Sequence, residues 1–298
     1  MDHLNLSIKK GEVFGLLGPN GAGKSTTILM MLGLTEPTSG QAKVLGLDST
    51  RDGLRVKKSI GYLPEDVGFY EDYSGLENLL YTAELSGLSR VLARAKALDL
   101  MQRVGLGDAT QKLVSKYSRG MRQRLGLADV LIKDPQIIIL DEPTLGLDPQ
   151  GVDELLALIR RLSREEGLTV LLSSHHLRQV QEICDRVGLF VKGKLLAHGN
   201  IQDLSSSLFT SEPYVIEAEI STAENPVKHL RVVLQDIDGV LSIDIQGRVL
   251  RISCAKNVTA DIARVIVSCG VDLYHLSKKE YGLDDIYRHY FNDSNDLP

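Results

Sequence analysis

No apolar run in the 298-residue chain approaches the roughly 18 residues needed to span a bilayer. The longest candidate, Ile137-Ile138-Ile139-Leu140, has the length of a strand. The opening residues, MDHLNLSIKK, lack the apolar centre of a secretory signal. If the protein serves a membrane, the expectation is that it does so through a partner. Cysteine is scarce. Cys184, Cys254 and Cys269 are odd in number and stand at no metal-ligand or redox spacing, which reads as reduced thiols in a cytosolic setting. A basic excess is also missing: 34 Lys and Arg face 39 Asp and Glu, for a net charge of -5, so nucleic acid is not an expected partner. There is no internal repeat, no low-complexity tract and no sustained heptad pattern that would announce a solenoid or coiled coil.

The sequence is 43% hydrophobic, enough to build a globular core. EVFGLL (12–17) is an apolar run of strand length, followed by a Gly-rich turn and a helical stretch, STTILMML. Short strands are expected at 41–45 and 59–63. From 74 to 133 the pattern changes to helical spacing of Leu, Ala, Val and Met over 75–86, 89–104 and 119–132, a helical insert. Strand signals return at QIIIL (136–140), LTVLLSS (168–174) and RVGLFVK (186–192), with helices near 150–165 and 176–184 between them. Continuously apolar strands alternating with helices imply a parallel sheet covered on both faces, an α/β fold. A Ser-rich stretch at 203–213 suggests a domain boundary, giving domains at 1–205 and 213–298. Beyond it, strand, helix, strand, strand, helix, strand and a last helix (283–291) have the order of a small α+β, ferredoxin-like unit.

Two motifs carry chemistry. Residues 18–25, GPNGAGKS, match G-x-x-x-x-G-K-[ST]. Glycines let backbone N–H groups turn toward phosphate oxygens, and the following helix points its positive end at the same anion. Gly18, Pro19, Asn20, Gly21, Ala22, Gly23, Lys24, Ser25 and Thr26 form the expected nucleotide cradle, with Lys24 at the terminal phosphates and the Ser25 hydroxyl on Mg²⁺. The second motif ends the QIIIL run: Asp141 and Glu142. An apolar strand emptying into two carboxylates is the Walker B arrangement, with Asp141 on the metal and Glu142 facing the attacking water.

A collinear series of motifs then resembles the nucleotide-binding subunits of ABC transporters, across roughly residues 1–200. The series is GPNGAGKST (18–26), GYLPED (61–66), YSRGM (117–121), IIILDEP (137–143), LGLD (145–148) and SSHH (173–176). YSRGMRQR looks like the family signature LSGGQ-x-Q-R, with Ser118 and Gly120 in place and Arg119 and Met121 replacing Gly and Gln. GYLPE and YSRGM are similar to the ABC-2 branch, largely exporters. LPEDVGFYEDYSG and GLDDIYRHYF also resemble the ATPase that serves copper-site maturation of nitrous oxide reductase. The fold implied is a P-loop NTPase cassette of the ABC type.

The resemblance implies residue roles. Ser118 and Gly120 would bind the γ-phosphate held by a second cassette, in a homodimer or heterodimer. Asp148 would cross that dimer. His175 would contact the γ-phosphate, whereas His176 reads as a plain helix start. Glu65 stands where the family has Gln and would add charge to the metal site. ATP and Mg²⁺ are the implied cofactors, and an integral membrane permease the implied partner, with this subunit peripheral on the inner face of the cell membrane. A soluble ABC protein and a regulatory cassette remain as alternatives. Single-cassette length disfavours the first, and intact Lys24, Asp141, Glu142 and His175 the second. The family's adenine-stacking aromatic lies about 25 residues before the phosphate-loop Lys, a point that falls ahead of Met1. LNLSI is therefore expected as a bare edge strand. Either the chain starts late or its base selectivity is weak.

Overall fold

The computed structural model describes residues 1–209, 213–221, 224–279 and 281–294. It divides into two compact units, one of Met1–Leu204 together with the chain from Tyr287 onward, the other of Ser205–Ile286.

In the first unit the elements run β1 (Val13–Leu17), α1 (Lys24–Met31), β2 (Lys43–Val44), β3 (Leu47–Asp48), α2 (Gly53–Ser59), β4 (Ile60–Leu63), α3 (Gly75–Leu85), α4 (Arg90–Arg103), α5 (Arg119–Leu131), β5 (Ile137–Asp141), α6 (Pro149–Glu166), β6 (Thr169–Ser174), α7 (Leu177–Ile183), β7 (Arg186–Val191), β8 (Lys194–Gly199) and α8 (Ile201–Leu208). The main sheet has the order β4-β5-β6-β1-β7-β8, with β4 through β7 mutually parallel and β8 antiparallel on the edge. All residues of β1 and β6 are buried, as their unbroken apolar sequences require when both sheet faces are covered. Phe14, Leu16, Ile28, Ile60, Ile139, Leu171 and Phe190 share one core cluster. Each such side chain, fully buried, contributes roughly 1.5–3 kcal/mol relative to exposure.

The insert begins at a reciprocal cap. The Ser74 hydroxyl accepts the Glu77 N–H at 3.2 Å, and the Glu77 carboxylate accepts the Ser74 N–H at 2.7 Å. Two of the four open donors of α3 are thereby satisfied.

The second unit holds β9 (Tyr214–Ile220), α9 (Glu224–Gln235), β10 (Val240–Gln246), β11 (Val249–Cys254), α10 (Thr259–Ser268) and β12 (Leu273–Lys278); α11 (Leu283–Ser294) starts in it and from Tyr287 is counted with the first. The sheet is antiparallel with order β10-β11-β9-β12, the strand order of a ferredoxin-like unit. Alternation explains its single core. On β11, Leu250, Ile252 and Cys254 are buried, while Val249 and Arg251 point out.

Several local expectations change. LNLSI forms no strand: no neighbouring strand supplies a ladder, so Leu4, Leu6 and Ile8 pack singly against the core cluster instead. The expected strand at 41–45 is only the two-residue β2, paired with β3 in a tight hairpin. Part of the Ser-rich stretch at 203–213 is helical, within α8, and residues 210–212 lie outside those described. The β8 strand and α2 were not anticipated. The three cysteines are free thiols, and burial pushes the Cys184 thiol well above the usual range.

Candidate functional site

Strands β1, β5 and β6 are adjacent and parallel, so their carboxyl ends open on one side. Leu17 pairs with Ser174, and Asp141 with Ser173. The loop after β1, the acidic pair after β5 and the histidines after β6 are thus delivered to a single crevice, the usual ligand position of an open α/β sheet. A cleft of about 360 Å³ lies there, lined by residues 19–26, Glu65, Asp141 and Glu142.

The loop leaves β1 at Gly18. A methyl group at this position would sit 2.3 Å from the Phe190 carbonyl oxygen, so only glycine lets the loop turn against β7. Gly23 then caps α1 in the left-handed conformation, φ 105°. Lys24 is 6% exposed, and its ammonium donates to the carbonyls of Gly18 at 2.7 Å and Pro19 at 3.3 Å. Ser25 and Thr26 are exposed on the cleft side of the helix start.

The acidic pair is held differently on its two members. Asp141 is 7% exposed. Its carboxylate accepts from the Ser173 hydroxyl. Burial, and then the negative charge of Asp141, raise the Tyr62 phenol above its ordinary pKa. Glu142 has φ 47°, unusual for a residue with a side chain, and its N–H bonds to both the carbonyl (3.1 Å) and the hydroxyl (3.2 Å) of Ser173. One carboxylate oxygen meets His175 Nδ1 at 3.0 Å, and the other lies 3.8 Å from the Lys24 ammonium. That second oxygen is buried without a hydrogen-bond partner, in a residue that lines the cleft.

The donors suit a hard cation: the Ser25 hydroxyl and the carboxylates of Asp141 and Glu65 all offer oxygen. Among the described residues no three His, Cys, Asp or Glu side chains converge to hold a metal ion by themselves. A partial oxygen set of this kind fits Mg²⁺, which keeps waters and completes its octahedron with substrate phosphates. Glu65 lines the cleft, but it does not build a preformed carboxylate cage with Asp141 and Glu142.

The remaining expected residues lie elsewhere. Ser118, Gly120 and Asp148 are not among the residues lining the cleft. Ser118 caps α5, its hydroxyl accepting the Met121 N–H at 3.2 Å. Asp148 caps α6 and accepts the Gly151 N–H at 2.7 Å. Between them, the Arg119 guanidinium lies over Gly146, where a methyl group would sit 2.4 Å from a guanidinium nitrogen. His176 heads α7, its N–H donating to the Ser174 hydroxyl at 3.0 Å, which matches a helix-start role. Sequence reasoning gave no role to Ser173. The signal for Ser173 is a hydroxyl at the buried end of an apolar strand.

The family model described as ABC transporter matches residues 1–145. The bacitracin transport ATP-binding protein BcrA of Bacillus licheniformis is 35% identical over 288 residues, spanning 96% of this chain and 90% of its own length. The daunorubicin/doxorubicin resistance ATP-binding protein DrrA of Streptomyces peucetius is 39% identical over 208 residues, 70% of this chain and 63% of that protein. Among solved structures, cbiO1 from Clostridium perfringens, part of the ABC transporter complex cbiONQ, superposes with a TM-score of 0.63 at 28% identity, covering 78% of this chain and 87% of that one. The cassette MJ0796, in a dimeric post-hydrolysis state with ADP and Pi, shares the fold at a TM-score of 0.61 and 24% identity, over 66% and 88% of the two chains.

Proposed function

The chain belongs to the ABC transporter family as an ATP-binding, ATP-hydrolysing subunit, and from that premise we propose that it works as a nucleotide-sandwich dimer driving export through a separate membrane permease. The observation that carries the dimer is the split of the site. Lys24, Asp141 and Glu142 share one cleft, whereas Ser118 and Gly120 do not line it. A second cassette, identical or not, would complete the cleft with its own Ser118 and Gly120, the N-terminus of its α5 facing the γ-phosphate. Asp148, at the head of α6, would lie at the crossing of the two chains.

Within the cleft the roles follow from geometry. Backbone N–H groups of residues 19–26 and the Lys24 ammonium bind the phosphates, a charge-assisted contact that replaces the ammonium's bonds to Gly18 and Pro19. Ser25, Asp141 and Glu65 would hold Mg²⁺, which neutralises charge on the β- and γ-phosphate oxygens. The unpartnered oxygen of Glu142 accepts a hydrogen bond from the attacking water, orients it and takes its proton as the bond to γ-phosphorus forms and that to the bridging oxygen breaks. His175 fixes the other oxygen of Glu142, so the carboxylate cannot rotate away.

No helix among the described residues is long and apolar enough to cross a membrane. The transport path would therefore belong to a permease, with this subunit bound to it at the inner face. The names of the relatives, bacitracin transport and daunorubicin/doxorubicin resistance, support outward movement of the substrate. The test is specific ATPase activity against protein concentration. Activity per chain falls on dilution if each site needs two chains, and constant activity in a demonstrated monomer refutes the sandwich.

A further inference from the structure

We infer that Thr144 and Gln179 form a positioning pair for Glu142, bracing the turn that holds its carboxylate in place. The inference rests on the proposed role of Glu142 and adds two residues to it. Glu142 follows β5 with φ 47°, a left-handed conformation that a residue with a side chain keeps only where its surroundings over-determine it. On the β6 side the restraint is direct: the Glu142 N–H bonds to the Ser173 carbonyl and hydroxyl. Past Glu142 the chain makes two tight turns. The Glu142 carbonyl accepts the Leu145 N–H at 3.1 Å, and the Thr144 carbonyl accepts the Leu147 N–H at 3.2 Å. Thr144 belongs to both turns. Its hydroxyl donates to the Gln179 side-chain oxygen at 2.6 Å, a contact that ties the turns to α7.

Two segments of the chain are therefore joined twice. Glu142 meets His175 at 3.0 Å, and two residues further along Thr144 meets Gln179, four residues beyond His175. The two contacts differ in their access to water. The His175 side chain is 40% exposed, so solvent competes for its contact with Glu142. Thr144 is only 4% exposed. A buried hydroxyl loses its desolvation compensation when its partner leaves, which makes the Thr144 contact the more persistent of the two. Neither Thr144 nor Gln179 lines the cleft. They reach the reaction only through Glu142: the turn keeps that residue in its left-handed conformation, and α7 keeps the turn from shifting against His175. The Gln179 amide is neutral, so the brace adds no charge of its own beside the carboxylate.

The experiment is single-turnover phosphate release at saturating ATP and Mg²⁺ in the full-length protein, with affinity for a fluorescent non-hydrolysable ATP analogue and the melting midpoint measured alongside. Thr144→Val keeps the shape and removes the hydroxyl, Thr144→Ser keeps the hydroxyl, and Gln179→Ala removes the acceptor. Thr144→Val and Gln179→Ala are each expected to slow release about threefold to thirtyfold, within the ~10²-fold that a 1 Å misplacement can cost, at unchanged analogue affinity. Thr144→Ser should stay within about twofold of wild type, because the hydrogen bond survives. The double variant Thr144→Val/Gln179→Ala should be no slower than the slower single variant, since both changes break one bond. A wild-type rate in either single variant overturns the proposal. So do additive losses in the double variant, a Thr144→Ser rate as low as that of Thr144→Val, or a matching loss of analogue affinity, each of which marks a separate or general structural effect. If Thr144→Val fails to fold, the rate and affinity of Gln179→Ala decide alone. Glu142→Gln is the control. Near-normal hydrolysis in it refutes the role of Glu142, and this inference falls with it. Lost hydrolysis there, beside wild-type rates in the other variants, leaves Glu142 in its role and removes only the brace.

Discussion

Replacing Glu142 with glutamine removes a negative charge from a buried position while leaving its volume almost unchanged. Glu142 is 6% exposed, with Lys24 at 3.8 Å on one oxygen and His175 at 3.0 Å on the other. At an effective dielectric near 20 the Lys24 contact is worth about 4 kcal/mol of Coulomb attraction, against which the cost of desolvating both charges must be set. Lys24 keeps its bonds to the Gly18 and Pro19 carbonyls in the variant, so the loss of fold stability should stay below the ~3–5 kcal/mol of a fully stripped buried charge. The glutamine amide can still bond His175. What disappears is the proton acceptor, a loss of roughly 10²–10⁴ in rate. Ground-state binding should hold or tighten, because a carboxylate no longer opposes the incoming triphosphate. Single-turnover phosphate release and equilibrium nucleotide binding measure the two quantities separately. Hydrolysis within tenfold of wild type would refute the role given to Glu142. Clearly weaker ATP binding would refute the charge argument.

Lys24→Ala should weaken nucleotide binding itself, unlike the Glu142 change, since it deletes the cation that charge-assists the phosphate contacts; an ITC titration showing unchanged affinity contradicts the cradle. Gly18→Ala would push a methyl to 2.3 Å from a backbone oxygen of β7, and overpacking of this kind costs about 1–3 kcal/mol. The expected outcome is a lower melting midpoint with loss of ATP binding. Ser74→Ala removes the cap of α3, at a cost of about 0.5–2 kcal/mol. Urea denaturation should register it, while nucleotide affinity stays unchanged because the cap lines no part of the cleft.

What could be read in the sequence divides along physical lines. The phosphate loop was legible because its whole function is local: glycines, a lysine and a helix start within eight residues. The alternating helices and apolar strands of the first unit were legible for the same reason, since period and burial are written along each element. KLLAHG, which becomes β8, was missed because it is a short edge strand of partly exposed residues without the dense apolar run of its neighbours. The helix α8 hid behind three consecutive serines, weak helix formers whose context decides. The contact of Glu142 with His175 joins residues 33 apart in sequence and was not legible there; the resemblance implied only that His175 meets the γ-phosphate. The Ser173–Asp141 hydrogen bond depends on which strand lies beside which. Parallel neighbours are set by crossover helices and not by any local spacing, so no window of residues contains that information.

The packing of Arg119 on Gly146 sets a mobile side chain over a rigid corner. The guanidinium is the far end of an exposed, flexible side chain and can move aside, but Gly146 itself stands at φ 70°, where any side chain is strained whatever its neighbours do. The constraint on this corner is therefore in the backbone and not in the pair. Among relatives, the position of Gly146 should stay glycine, while the position of Arg119 drifts independently of it.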